Sequence, residues 1–370
     1  MKHRRLAALA ALLWATSANG ADTSAVSGGY RTVTVAEGLE LPWGLAFLPD
    51  GGLLVTERPG RLRRVSADGT VGEPLAGVPE VYFRGQGGLL DLVLHPAFAD
   101  NRLVYLSYAH GGPSENATRV ARARLGSAGL EDLEVIFTAE PAKDTPQHYA
   151  GTMAFLPDGT LLVSVGDGFD FREHAQDLAS TLGKTVRLAD DGTVPPDNPF
   201  VDRPGAAAAV WTYGHRNAQG LAVDPASGVV YQHEHGPRGG DELNVLRPGR
   251  NYGWPAITYG MDYSGAYVSP FTEWPGMEQP LMYWVPSIGP SGLAVYRGER
   301  FPEWDGDLFV GALVDREVRR IDLESGQVAG EQALFGELGE RIRNVKAGPD
   351  GHLYLVTDSE RGRILRVERR

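Results

Sequence analysis

Short apolar runs separated by glycine and proline fill this chain, long helical periodicity is scarce, and one motif recurs: an apolar strand, a turn often written Pro-Asp-Gly, and a second apolar strand. Six copies can be read. The first two are Leu45 to Gly51 before Leu53-Leu54-Val55, and Leu92 to Pro96 before Leu103 to Leu106. The next two are Met153 to Gly159 before Leu161-Leu162-Val163, and Leu221 to Pro225 before Val229-Val230-Tyr231. A looser copy is Leu293 to Tyr296 before Leu308-Phe309-Val310, and the last is Val345 to Gly351 before Leu353 to Val356. In Pro-Asp-Gly the proline presets φ and the glycine admits positive φ, which reverses the chain between strands.

Repeats of about 45 to 75 residues, each with several short strands, predict a β-propeller, because one such sheet cannot bury both faces alone. Six copies predict six blades in an all-β fold. The strand candidate Tyr30 to Val35 and the terminal Ile364 to Val367 are expected to share one blade and close the ring, which removes exposed edges. A β-sandwich would not explain regular recurrence over the whole length. No linker divides the chain, so residues 21–370 are expected to form one domain; the run Ala206 to Ala209 is too short to be one.

Residues 1–20 read differently, as an export signal. Lys2, His3, Arg4 and Arg5 give a basic start, Leu6 to Trp14 an apolar run, and Ala18-Asn19-Gly20 a small-residue cleavage site. The apolar run falls well short of the roughly 20 residues that span a bilayer. A periplasmic or secreted protein with no membrane span after signal removal is expected. Removal takes away Lys2, Arg4 and Arg5 and no acid, moving the formal charge from −12 to −15. Nucleic acid and anionic membranes reward basic patches, so neither is an expected partner. The chain has no cysteine, so disulfides and thiolate-held metals are excluded. A metal here must sit on oxygen or histidine, and oxygen favours calcium or magnesium.

Propellers bind ligands on the loops that leave their inner strands, and four polar segments stand just outside the repeats: Arg84 to Asp91, Gln147 to Gly151, Tyr213 to Gly220 and Glu234 to Glu242. Gly85 to Gly88 lacks the Gly-Lys-Ser/Thr ending of a phosphate loop and leads into a strand. Arg216-Asn217 sets a fork of donors beside an amide, which suits carboxylates or quinone oxygens and equally a structural ion pair. His148 precedes an inner strand while Gly166-Asp167-Gly168 follows its partner strand, so a carboxylate there could orient the imidazole as a base. The remaining histidines show no zinc spacing. From Glu234 to Tyr252 the chain is rich in glycine and acids, which fits either an acidic surface loop or a calcium site.

Taken in order, Gly85 to Asp91, Arg216 to Gly220, Glu234 to Glu242, Asn251 to Pro255 and Arg341-Ile342-Arg343 resemble the soluble PQQ-dependent aldose dehydrogenases of the glucose/sorbosone dehydrogenase family, from about Leu41 to the end. The resemblance implies pyrroloquinoline quinone (PQQ) and calcium as cofactors. It implies that Gln86, Arg216, Asn217, Gln219, Thr258, Tyr263, Arg341 and Arg343 surround PQQ. It implies that carbonyls of Gly236 and Pro237 hold the calcium beneath it, and that Glu242 and Tyr252 belong to a second, structural calcium. His148 is the implied general base, Asp167 its orienting acid, and Arg216 a stabiliser of charge on the quinone oxygens. The implied reaction turns an aldose into its lactone, passing electrons on to an acceptor that the sequence does not identify. Monomer and homodimer both remain open. The sequence departs from the family at Val314, where a cofactor-contacting lysine is common; Arg316, two residues on, is the candidate replacement if the segment is an extended strand. Two rivals remain at this stage: a calcium-dependent lactonase on a similar scaffold, which would not need Arg341 and Arg343, and a propeller that only binds.

Overall fold

The six sequence repeats become the inner strand pairs of six antiparallel sheets, in a computed structural model that describes residues 26–370. Blade 1 comprises Pro42–Phe47, Leu53–Glu57, Arg61–Val65 and Val71–Pro74, from the channel outward. The innermost strands of blades 2 to 6 are Leu89–Leu94, Ala150–Phe155, Ala218–Val223, Pro290–Val295 and Ile342–Ala347. Each is paired with the second strand of its own repeat, as the sequence predicts: Leu103–Gly111, Leu161–Val165, Val230–Glu234, Leu308–Ala312 and Leu353–Thr357. Blade 6 is completed by Gly362–Arg369 and the N-terminal strand Tyr30–Leu39, with Thr32 opposite Val367. The ring therefore closes with the first and last of the described strands in one sheet. The expected leader, residues 1–20, lies outside the described residues.

Second strands are buried on both faces, and alternation decides which neighbour each side chain meets. Leu54 packs toward blade 2, in a cluster with Leu92, Val104 and Leu106, while Leu53 and Val55 pack toward blade 6 with Tyr354, Val356 and Ile364. The same division repeats around the molecule. Six large apolar clusters fill the six interfaces between adjacent blades, so stability resides between sheets rather than inside any one of them.

Every innermost strand carries a bulge close to its first residue, at Pro42/Leu45, Leu89/Leu92, Ala150/Met153, Ala218/Gly220, Ser291/Leu293 and Ile342/Asn344. A bulge takes carbonyls out of the ladder, and in a dry channel wall each would be costly. Here each is met by a side chain of the preceding blade. Thr56 donates to Leu90 O, Ser107 to Gly151 O and Ser164 to Ala218 O. The neutral His233 ring follows with Gly292 O, Ser291 with Ile342 O, and the amide of Asn344 with Trp43 O at 2.9 Å. The last bond joins blade 6 to blade 1, so the six bonds form a closed ring.

Ser107 also accepts the amide of Asp91 at 3.0 Å, so its loss orphans two buried backbone groups. Ser107→Ala should lower unfolding free energy by about 1–3 kcal/mol in equilibrium urea denaturation. Ser66→Ala, which removes an exposed hydroxyl, is the control and should change it by less than about 0.5 kcal/mol.

Candidate functional site

An innermost strand begins at the end of the propeller where its second strand finishes, so loops before the one and after the other share a single face. On that face lies a cavity of about 930 Å³. Gln86, Asn217, Gln219, Gly236, Pro237, Tyr263, Arg341 and Arg343 all line it, drawn from blades 2, 4 and 6 and the loops between. Three wall residues, Trp43, Gln219 and Arg343, occupy the bulges of blades 1, 4 and 6. The extra residue of a bulge re-aims a side chain, and here three are turned into the cavity.

One wall is cationic. Arg341 Nε and Arg343 Nη2 share the Asp358 carboxylate at 2.8 and 3.3 Å. Burial works against that carboxylate, but the Arg343 and Arg341 charges outweigh it and leave its pKa below the ordinary value. Arg58 stands in the same wall, donating to Gly85 O at 2.6 Å and lying over the Phe83 ring. Burial, then repulsion by Arg343, lowers its pKa. Two guanidinium groups thus share one carboxylate, and a third stands in its field without pairing to it. The Nε atoms of Arg58 and Arg343 and the amide nitrogen of Asn217 are buried donors with no protein partner. Unused donors and surplus positive charge suit a ligand bearing several carboxylates or carbonyls.

The base pair expected from sequence assembles beside this wall. His148 Nδ1 lies 2.6 Å from Asp167 Oδ1, and the His148 amide donates to Gln86 Oε1 at 2.8 Å. Asp167 is fully buried and also accepts from Trp254 Nε1 at 2.7 Å and the Phe169 amide at 2.8 Å. A carboxylate held by three donors fixes the imidazole with its Nδ1 protonated and Nε2 available as a base. Gly166 makes the approach possible: a Cβ there would lie 2.1 Å from His148 O. Burial lowers the His148 pKa below its ordinary value; Asp167 pulls it upward, and Arg216 and Lys143 push it down again.

Arg216 connects base and cavity. Its backbone amide is held by Glu234, its carbonyl accepts from the Asp167 amide at 2.8 Å, and its guanidinium lies over the Trp254 ring. Nη1 donates to His235 O and Gly236 O at 3.1 and 2.8 Å, beside the Gly236-Pro237 wall. The cleft it lines, of about 280 Å³, shares Pro237 and Tyr263 with the large cavity.

Three expected residues stand apart from the cavity. Thr258 is buried and its hydroxyl accepts from the Gly260 amide at 3.1 Å, outside the cavity walls. Glu242 faces Glu234 across the sheet, with the Asn244 amide at 3.4 Å. Burial and the Glu234 charge hold its pKa well above the ordinary value. Tyr252 uses its hydroxyl to bridge Val245 O and the Arg247 amide and stacks on His215. Among the described residues no three His, Cys, Asp or Glu side chains are arranged to hold a metal. Arg316 is also misplaced by the sequence reading. The strand ends at Ala312, Arg316 takes a φ of +58°, and its guanidinium donates to Gly339 O at 3.3 Å. The same-face rule for residues two apart fails in that bend, and Val314 alone lines the cavity, 60% exposed.

Sequence reasoning missed Arg58, His235 and Asp358 as wall residues. A signal was present. Each directly follows the second strand of its repeat, one place before the position that Asp167 holds in blade 3, and inspecting that position in all six copies would have found them.

The sequence model described as "Glucose / Sorbosone dehydrogenase" matches residues 39–366. Aldose sugar dehydrogenase YliI of Escherichia coli is 43% identical, covering 90% of this chain and 91% of that protein. The crystal structure of the soluble aldose sugar dehydrogenase from Escherichia coli, an apo form, superposes with a TM-score of 0.89 at 41% identity, over 92% of this chain and 100% of that one. A PQQ-bound aldose sugar dehydrogenase from Streptomyces coelicolor gives a TM-score of 0.75 at 32% identity, over 92% and 98%. No helix among the described residues is long and apolar enough to cross a membrane.

Because burial outweighs the upward pull of Asp167 on His148, imidazole NMR should find His148 half-protonated below about pH 6.5. Asp167→Asn should move that midpoint lower still, since its loss removes the upward influence and leaves burial and Arg216.

Proposed function

The chain belongs to the glucose/sorbosone dehydrogenase family, and from that premise we propose that it is a PQQ- and calcium-dependent aldose dehydrogenase that oxidises sugars at the anomeric carbon to lactones. The observation that carries the proposal is the arginine wall with unused buried donors, set beside an oriented His148–Asp167 pair. PQQ is a tricarboxylate quinone, and its chemistry fits Arg58, Arg341, Arg343, Asn217 and the cavity side of Gln86, Gln219 and Tyr263. The carbonyls of Gly236 and Pro237 fit a hard cation at the same wall, and the buried, mutually repelling Glu234 and Glu242 fit a second one near Tyr252. A lactone hydrolase would leave the three arginines without a task, and a binding module would leave the oriented base without one.

When bound, PQQ supplies the two-electron acceptor for the hydride from the sugar, with calcium polarising its quinone oxygens. The protein supplies the rest. His148 Nε2 takes the proton of the anomeric hydroxyl as the hydride leaves the same carbon, and that carbon becomes the lactone carbonyl. Asp167 holds Nδ1–H and stabilises the imidazolium that forms. Arg216, held at its backbone by Glu234, presents fixed positive charge where negative charge develops on the acceptor, so little reorganisation is needed. Thr258 keeps a supporting place through Gly260. The proposal includes export to the periplasm or beyond.

Purified protein should be inactive alone and oxidise aldoses, read with an artificial electron acceptor, once PQQ and calcium are added together. His148→Gln should lower turnover by about 10²- to 10⁴-fold with PQQ affinity largely kept. Oxidation driven by NAD with no PQQ present would overturn the reading.

The departure at Val314 gives a separate test. Arg316 points to Gly339 rather than the cavity, so Arg316→Ala should leave PQQ affinity unchanged. Val314→Lys should tighten it by about 1.5–3 kcal/mol, the scale of a charge-assisted hydrogen bond, in PQQ titrations followed by quinone absorbance.

A further inference from the structure

A buried lysine stands behind the base. Lys143 is 3% exposed. The Asn116 amide donates to Lys143 O at 2.7 Å and the Lys143 amide to Asn116 O at 2.9 Å, which fastens the segment to the blade-2 strand that Asn116 begins. The side chain then follows the chain toward His148. Lys143 Nζ donates to Thr145 O at 2.5 Å and to Asn116 Oδ1 at 2.9 Å, and lies over the Tyr149 ring, 3.5 Å from its centre. The Tyr149 hydroxyl donates to the same Asn116 Oδ1 at 2.6 Å. One ammonium thus grips the turn on both sides of His148.

We propose that Lys143 is a positioning residue for the reaction, its buried ammonium clamping residues 145–149 and so setting where the His148 imidazole stands against Asp167. This rests on the dehydrogenase reading above. The turn requires a clamp. His148 and Ala150 have φ of +48° and +55°, in the left-handed region that residues with a Cβ disfavour, so the surroundings must impose it. Thr118 donates to Tyr149 O at 2.8 Å, the His148 amide is held by Gln86, and the Thr145 hydroxyl donates to Gly168 O beside Asp167. Each of these bonds fixes one point, whereas Lys143 joins the two halves of the turn. Its stem also fills the space under Gly168, where a Cβ would come within 2.7 Å of Lys143 Cδ. Lysine, base and orienting acid are therefore packed against one another.

Charge adds a second effect. His148 faces Asp167 on its own blade, Arg216 and His235 from the next, and Lys143 behind it. Lys143 in turn faces Asp167, Asp144 and His148. Burial lowers the Lys143 pKa to about 7 against the opposing pull of Asp167 and Asp144. The ammonium is therefore charged through the acid range in which His148 gains its proton, and it opposes that proton. Without it the imidazolium would form at higher pH, and a protonated imidazole takes no proton from a sugar. Burial raises the Tyr149 pKa, so the ring under the ammonium stays a neutral phenol and keeps donating to Asn116.

The test uses Lys143→Met, which removes charge and donors, Lys143→Gln, which keeps a donor without the charge, and Lys143→Arg, which keeps both. In the protein without PQQ, imidazole NMR should place the His148 midpoint at higher pH in Lys143→Met and Lys143→Gln than in the native protein, and close to native in Lys143→Arg. In the PQQ- and calcium-loaded enzyme, Lys143→Met should lower kcat on glucose about tenfold with KM within about twofold. The loss should be deeper at about pH 6 than at about pH 8, and Lys143→Arg should recover most of it. An unmoved His148 midpoint in the two neutral variants would overturn the proposal. So would a kcat loss equal at every pH, or one that Lys143→Arg fails to recover, because either marks a residue that only packs. If Lys143→Met gave no folded protein, Lys143→Gln would carry both readings. If the loaded native enzyme oxidised no aldose at all, the dehydrogenase reading would fail, while the NMR titration would still decide whether Lys143 governs His148.

Discussion

The structure depends on one constraint: each innermost strand leaves its ladder at a bulge, and the carbonyl freed there must find a donor inside a dry wall. The donor comes every time from the preceding blade, as Thr56, Ser107, Ser164, His233, Ser291 or Asn344. The hydrogen bond that satisfies a bulge is therefore also the bond that joins two blades. Apolar clusters between blades supply most of the stabilisation, but they are not directional. The ring of polar bonds fixes how far one sheet can slide past the next. Function inherits that precision, since the bulges that require the bonds also turn Trp43, Gln219 and Arg343 into the cavity.

Charge is organised against the average. The chain carries a formal charge of −12, yet the cavity concentrates Arg58, Arg341 and Arg343 around a single carboxylate. Such a cluster persists because blades 1 and 6 fix its members independently, through strands already paid for by packing. Burial then acts twice. It weakens water's competition for the arginines' ligand, and it keeps His148 neutral, so that a base and a cationic wall coexist within one site.

The long excursion between Leu246 and Met282 in blade 4 gives the site its asymmetry. It supplies Trp254 to Asp167, Tyr263 to Arg216, and Phe271 and Trp274 to a smaller cavity of its own. Reciprocal amide hydrogen bonds between Gln176 and Asn251, at 3.0 and 2.8 Å, tie it to blade 3, the blade that also carries His148 and Asp167. Base and cavity thus share one frame.

The sequence by itself determined the repeat, and with it the six blades, their inner strand pairs and the closure of the last blade by Tyr30 to Val35. Those follow from short apolar runs and turn chemistry, which need no knowledge of neighbours. The pairing of His148 with Asp167 was legible for the same reason: both flank the two strands of one repeat. Tertiary structure decided what lies between repeats. Bulges leave no mark in an alternating pattern, so the aiming of Gln219 and Arg343 could be named only through resemblance, and Arg58 and Asp358 were overlooked altogether. The strand assumed at Val314 to Arg316 had ended at Ala312, where the Leu313 and Val314 amides turn to the carbonyls of Gly289 and Ile288 and Arg316 takes a positive φ, long-range bonds that its own sequence does not announce. A propeller's strands are local objects, whereas its site is made where six of them meet, and only the closed ring sets that geometry.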